Sequence, residues 1–128
     1  MIYAPAGLGY ELLARMVGDN KHEFDFYSGI MLVSCAEKSL YETVYLWIDD
    51  HRFEISVDDY WIAYSEIARE SDSTTSDTCL IAIVDSPNSY WLVGDAFLKG
   101  YYTIHDNDDH ANARMGFAPH ATSSKGLV

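Results

Sequence analysis

The chain has 128 residues, is 48% hydrophobic and 14% aromatic with ten Tyr, and carries a formal net charge of −12. That length suits one domain of modest core, and the Tyr-rich composition leans towards β-structure. Twenty acidic against eight basic residues exclude a phosphate-backbone reader, which needs clustered Lys and Arg, so no nucleic-acid partner is expected. The acidity fits work at low pH, where carboxylates protonate and self-repulsion falls. On charge alone, solubility is the simpler reading. No apolar run approaches ~18 residues, so no membrane span or membrane partner is expected. No basic region followed by an apolar stretch marks a signal peptide at the N-terminus.

In chain order, Pro5 to Val17 reads as a loop and a helix, with Leu12, Leu13, Met16 and Val17 at helical spacing. Residues 24–34 and 43–57 alternate as strands: Val44, Leu46 and Ile48 share one face, and Phe53, Ile55 and Val57 alternate later. Asp49-Asp50-His51-Arg52 is a polar turn within the second stretch. Ser65 to Thr78, with SDSTTSD at its heart, reads as a mobile surface loop. Leu80 to Val84 is a short apolar run of the buried-strand kind. Asp85 to Ser89, holding Pro87, is a turn, and Ala96 to Lys99 is one helical turn. Tyr101 to Ile104 and Arg114 to Ala118 pair across Asn107-Asp108-Asp109-His110. The tail from Thr122 is rich in Ser, Lys and Gly and reads as disordered. The expected division is a lobe over residues 1–120 and a flexible tail over 121–128.

Chemical motifs are scarce. Asp106, Asp108, Asp109 and His110 suggest a calcium loop, but an EF-hand needs Gly at its sixth position and Glu at its twelfth. Counted from Asp106 these are Ala111 and Phe117, so a solvated hairpin is the better reading. The five His have no HExxH spacing, no GxSxG elbow occurs, and Gly7, Gly9 and Gly18 form no phosphate loop. Neither Cys35 nor Cys79 has a CxxC partner or a nearby ligand. No metal and no cofactor are expected.

The informative stretch is YWLVGDAFLKGYYTIHD, Tyr90 to Asp106, followed by RMGFAP, Arg114 to Pro119. It resembles the closing segment of the pepsin-type (eukaryotic) aspartic proteases. Trp91, Leu92, Val93, Gly94, Asp95, Phe97, Leu98, Tyr101, Tyr102, Asp106, Gly116, Ala118 and Pro119 stand where that pattern puts them. Upstream, Met1-Ile2-Tyr3-Ala4-Pro5 matches the stretch after the family's second Asp-Thr-Gly-(Thr/Ser)-Ser motif. The helix and Gly29-Ile30-Met31-Leu32-Val33-Ser34-Cys35 match the family's next elements. Three positions depart from the pattern. Tyr41 replaces a usual Pro, His105 a usual Phe, and Asp49-Asp50 the usual Asn-Gly or Asp-Gly, a better pair for positive φ.

The resemblance implies an all-β fold with short helices, the C-terminal lobe of a pepsin-like β-barrel aspartic protease. It also implies a Cys35–Cys79 bridge, where the residues alone leave two buried thiols open. Such a bridge contributes on the order of 3–4 kcal/mol in the chain-entropy picture and points to an oxidising compartment, secreted or vacuolar/lysosomal. Family chemistry needs two carboxylates sharing a proton around one water, one from each lobe's Asp-Thr-Gly loop. No Asp-Thr-Gly or Asp-Ser-Gly triplet occurs in these 128 residues, so no residue is assigned as catalytic. Asp95 is read as structural by resemblance.

The expectation is therefore a lobe fragment of an aspartic endopeptidase, inactive alone, whose partners are a polypeptide substrate and the N-terminal lobe of the same protease. The alternative is a catalytically dead module that binds peptides or another protein. By resemblance, Tyr3 and Leu92 line substrate subsites, and Ile83 is a weaker candidate for which core packing is the better reading. The missing neighbours of such a fragment also predict exposed apolar surface around Ile2, Leu92 and Val93.

Overall fold

The structure is a computed structural model that describes residues 1–67 and 77–120. Residues 68–76 of the polar segment, and the expected tail 121–128, lie outside the described residues. The elements are β1 (Ile2–Ala4), α1 (Leu8–Val17), β2 (His22–Asp25), β3 (Ile30–Ser34), β4 (Val44–Ile48), β5 (His51–Ile55), α2 (Val57–Tyr60), β6 (Trp61–Ala63), β7 (Thr78–Asp85), β8 (Leu92–Val93), α3 (Asp95–Leu98), β9 (Tyr101–Asp106) and β10 (Arg114–Pro119). The fold is all-β with short helices, as expected. Among the described residues the strands form an open six-stranded sheet and two separate hairpins, and no sheet closes into a barrel.

The main sheet runs β2-β3-β7-β1-β8, with β6 pairing further along β7. Strand β7 is its axis. It is flanked by β3 and β6 antiparallel and by β1 parallel, and α1 packs across it. With both faces covered, a strand reads as a continuous apolar run rather than an alternating one. CLIAIV, Cys79 to Val84, is buried throughout. From α1, Leu13 and Val17 supply the apolar cover, fully buried at one helical turn's spacing. A disulfide joins Cys35, just after β3, to Cys79 near the start of β7. It locks two neighbouring strands across a sequence separation of 44.

Hairpins β4–β5 and β9–β10 share an aromatic core. The Phe53 ring meets Phe97, Tyr101 and Phe117 edge-on at centroid distances of 5.6, 5.5 and 5.4 Å, the favoured geometry for opposed ring quadrupoles. The Tyr101 hydroxyl closes the seam: it donates to the Glu54 carbonyl at 2.9 Å and accepts from the Glu54 N–H at 3.0 Å.

Several elements differ from the sequence reading. The stretch 24–34 is the inner part of a hairpin, because Gly29 at φ 73° turns the chain back after Asp25. The stretch 43–57 is two strands across a turn, as read from the sequence, but the turn is only Asp49-Asp50; His51 and Arg52 belong to β5. Both turn residues take positive φ, 45° and 66°, the conformation a two-residue hairpin requires. Val57 opens helix α2 instead of ending a strand, since Ser56 and Asp59 form a capping box there. Strand β7 extends at both ends beyond Leu80–Val84, and β6 carries no alternation strong enough to show in the sequence. Tyr41, in place of the usual Pro, is buried with its ring 4.8 Å from Trp61.

Candidate functional site

Strand β1 is short, and three sets of contacts fix it. Along β7, Ile2, Tyr3 and Ala4 register with Ile83, Val84 and Asp85. Along β8, Ile2 and Tyr3 register with Val93 and Leu92. At its start, the Gly94 N–H donates to the Met1 carbonyl at 3.0 Å. A Cβ on Gly94 would sit 2.5 Å from that same oxygen, so glycine is what lets the two backbones meet.

Beyond the other end of β1 lies a knot around Asp85 and Ser86. Ser86 is buried, and both its N–H and its hydroxyl donate to the Ala4 carbonyl, at 3.0 and 2.9 Å. The Asp85 carboxylate accepts from the Tyr10 N–H at 3.1 Å in the first turn of α1. The Asp85 N–H donates to the Gly29 carbonyl at 3.0 Å. Gly9 and Gly29 both pass so close to Asp85 that a side chain at either would collide with it. Asp85 and Ser86, which the sequence presents only as turn residues, thus join β1, α1 and the β2–β3 hairpin. The glycines at 9 and 29 are the one visible sign of that close approach.

Residues directly paired across strands present their side chains to the same face of a sheet. The pairing therefore defines two rows. Val93, Ile2 and Ile83 point to the core side. Leu92, Tyr3, Val84, Ile30 and Asp25 point to the opposite side, one residue from each strand of the main path. Of the three sequence-predicted binding residues, Tyr3 and Leu92 are thereby brought together as cross-strand partners, 40% and 46% exposed. Ile83 is separated from them. It is 2% exposed and lines an apolar cavity of about 290 Å³ with Ile2, Leu12, Leu46, Ile55 and Trp91. Ile2 is buried too, contrary to the expectation of exposed surface around it, because its side chain faces the hydrophobic core; Leu92, named in the same expectation, is exposed.

The outer row leads into a groove of about 420 Å³. Its lining includes Tyr3, Val84, Asp85, Ser86 and Pro87, with Phe24, Phe26 and Tyr27 from the β2–β3 hairpin. Rings of Phe24 and Phe26 meet edge-on at 4.9 Å, and Phe24 meets Tyr10 of α1 at 4.9 Å. The hairpin turn is held by Asp25, whose carboxylate accepts from the Tyr27 N–H at 2.9 Å and the Ser28 hydroxyl at 2.6 Å. Those two bonds, the Ser28 one foremost, hold the Asp25 carboxyl below its usual range.

The other perturbed carboxylates are equally local. Asp106 is lowered by the Arg114 guanidinium, which donates to it at 2.7 Å across β9–β10. Asp109 is lowered by the Asn112 side chain at 2.8 Å. Each stabilises its own turn or strand pair, and none is arranged as one half of a shared-proton dyad. Asp95 is the first residue of α3. Among the described residues no cluster of three or more His, Cys, Asp or Glu could hold a metal ion.

Sequence comparison with known proteins places this chain in a family. A family-wide sequence model described as eukaryotic aspartyl protease matches residues 1–120. Pepsin A of Sus scrofa is 29% identical over 91 residues, 71% of this chain. Cathepsin D of Mus musculus is 30% identical over 95 residues, 70% of this chain. An acid protease of Saccharomycopsis fibuligera is 24% identical over 118 residues, 92% of this chain. The chain belongs to the eukaryotic aspartyl protease family. The matches span 21%, 21% and 26% of the lengths of those three relatives.

Proposed function

We propose that this chain supplies the C-terminal-lobe side of a peptide-binding cleft in an aspartic endopeptidase. In this reading Tyr3 and Leu92 touch the substrate polypeptide, the N-terminal lobe of the same protease faces them, and Ile83 supports the sheet from beneath. The 128-residue polypeptide does not itself hydrolyse peptides, because it contains neither Asp-Thr-Gly loop and the reaction needs two coupled carboxylates. The Cys35–Cys79 disulfide supports folding in an oxidising compartment, secreted or lysosomal.

The observation that carries the reading is the pairing of Tyr3 with Leu92. Two large apolar side chains stand side by side on an exposed sheet face, on a strand clamped by β7, β8 and the Ser86 contacts. Rigid backing with exposed apolar tips is what a substrate subsite requires. The test is titration of the chain with apolar hexapeptides, followed through the Leu92 methyl and Tyr3 ring resonances. Tyr3→Ala and Leu92→Ala are each expected to weaken binding about tenfold. Unchanged binding by both variants would contradict the assignment.

A further inference from the structure

The β4–β5 hairpin is a two-stranded sheet of its own, joined to no other strand among the described residues. A ribbon of this kind has an edge on either side. On the β5 side the edge is closed by Tyr101, whose hydroxyl serves both the N–H and the carbonyl of Glu54. Those two groups therefore point away from β4. In an antiparallel ladder, opposed residues alternate between exchanging both bonds and exchanging none. Glu54 opposite Tyr45 is thus a pair that exchanges none, and so, two residues on, is Arg52 opposite Trp47. The N–H and carbonyl groups of Tyr45 and Trp47 point out from the free side of β4, and among the described residues no bond meets them. Pro, Lys or an inward charge would blunt such an edge. Val44-Tyr45-Leu46-Trp47-Ile48 has no Pro, no Gly and no charge, and it is rich in strand formers. In a chain of net charge −12, a neutral strand is where two like-charged copies approach with least repulsion. The charges sharing its exposed face, Arg52 and Glu54, cancel.

We propose that a second copy of this chain adds to this edge, β4 antiparallel to β4, about a two-fold axis at Leu46. The outward groups set the register. Bonds form only between residues whose groups point outward, and centring on Leu46 overlaps the whole of β4. Tyr45 then exchanges bonds with Trp47 of the second copy, and Trp47 with its Tyr45. Their side chains, 48% and 64% exposed, become cross-strand aromatic pairs, a favourable sheet contact. Arg52, already stacked 4.5 Å above the Tyr45 ring, flanks each pair. On the opposite face Leu46 meets its own copy and Val44 meets Ile48. The contact is small, so a dissociation constant on the order of 10–100 μM is expected. The Tyr3–Leu92 pair belongs to another sheet, and the inference does not rest on the peptide-binding reading.

Sedimentation velocity of the 128-residue chain over a concentration series reads the assembly, and a monomer–dimer equilibrium is expected. Amide hydrogen exchange by NMR, in a dilute and a concentrated sample, reads its place. Concentration is expected to slow the Tyr45 and Trp47 amides, whereas the Leu46 amide is protected within the hairpin in both samples. Trp47→Pro removes an N–H that the hairpin does not use and is expected to leave the chain monomeric. Trp47→Glu keeps the backbone groups, faces Arg52 across the hairpin and charges the edge; it is expected to weaken association about tenfold. Tyr102→Glu makes the same change of charge at an exposed aromatic of β9 and is expected to leave association unchanged. Chains carrying Tyr45→Cys and chains carrying Trp47→Cys, mixed and oxidised, are expected to link to each other faster than either links to itself.

A chain that stays monomeric through the series overturns the proposal. So does a dimer that Tyr102→Glu disrupts as much as Trp47→Glu, or one that forms without slowing the Tyr45 and Trp47 amides, because another surface then does the pairing. Protection of those two amides at every dilution overturns it as well, since the edge is then covered within one chain. Self-links as fast as the mixed link do the same. If Trp47→Pro does not fold, the amide exchange and the mixed link still decide.

Discussion

Asp49 and Asp50 show how far a single residue pair can be pushed by its surroundings. The β4–β5 register, Val44 opposite Ile55 through Ile48 opposite His51, leaves only two residues to reverse the chain, and both must take positive φ. Asp tolerates that conformation better than most residues but less well than Asn or Gly. Replacing the pair with Asn-Gly is therefore expected to stabilise the fold by about 0.5–1 kcal/mol. Urea unfolding of both proteins measures it, and a loss of stability would show that the aspartates make contacts worth more than the strain. Gly29 is the opposite case. It combines φ 73° with a backbone approach to the Asp85 carbonyl that leaves no room for a Cβ. Gly29→Ala is expected to cost about 2–3 kcal/mol, read in the same urea experiment; a cost near zero would mean the hairpin and Asp85 are not pressed together. Residues of this kind are half legible in the sequence. Asp49-Asp50 is visible as a turn with a poor pair, whereas Asp85 and Ser86 are not visible as a knot. Their partners Ala4, Gly9, Tyr10 and Gly29 lie far away along the chain, and only the fold brings them together.

At the level of elements, legibility depends on how much each pattern owes to distant neighbours. The helix from Leu8 to Val17 and the buried run within β7 are legible because periodicity and continuous apolarity are local signals. The hairpin at 22–34 looks like one alternating stretch, because alternation survives a tight turn and does not reveal the reversal, whereas the hairpin at 44–55 shows its reversal in the polar residues at Asp49-Asp50. Helix α2 is hidden because four residues are too few to show a period; its capping box, Ser56 with Asp59, is the available sign. The disulfide is legible only through family resemblance, as two cysteines alone do not declare a bond. Its expected contribution is about 3–4 kcal/mol. Mass spectrometry without reduction should show Cys35 and Cys79 peptides linked, and reduction should lower the unfolding midpoint in proportion. Two free thiols, or a midpoint indifferent to reduction, would contradict this. The seam between the hairpins offers a sharper test. Tyr101→Phe keeps the ring against Phe53 and Phe97 but removes the hydroxyl that serves both the N–H and the carbonyl of Glu54. A loss of about 1–3 kcal/mol is expected, and an unchanged midpoint would mean that the aromatic packing alone holds the seam.

For the whole molecule, titration and surface character set the working range. Asp25, Asp106 and Asp109 have carboxyls held below the ordinary value of 3.8 by their hydrogen bonds. A lowered folded-state pKa contributes stability that is present above 3.8 and is lost as pH falls through the lowered values. Tyr60, whose hydroxyl donates to the Glu42 carbonyl at 2.7 Å, is raised by burial from 10.0 to about 12. Its contribution is complete below 10 and is lost as pH rises towards 12. Urea midpoints measured across pH should thus form a plateau with an acid limb below 3.8 and an alkaline limb above 10, and stability gained on either limb would refute these assignments.

The acid limb is expected below mildly acidic solution, where the family's coupled carboxylates work. Exposed aromatics on the two hairpins, Tyr45 and Trp47 on β4 and Tyr102 on β9, give the lobe apolar faces beyond the Tyr3–Leu92 pair. The central claim is that the Tyr3–Leu92 face holds peptide and leaves the bond intact. It is tested most directly by incubating the purified chain with an unfolded protein substrate at about pH 4, near carboxylate pKa values, with and without pepstatin. Intact substrate is expected in both samples. Cleavage that persists through repurification and is abolished by pepstatin would contradict it.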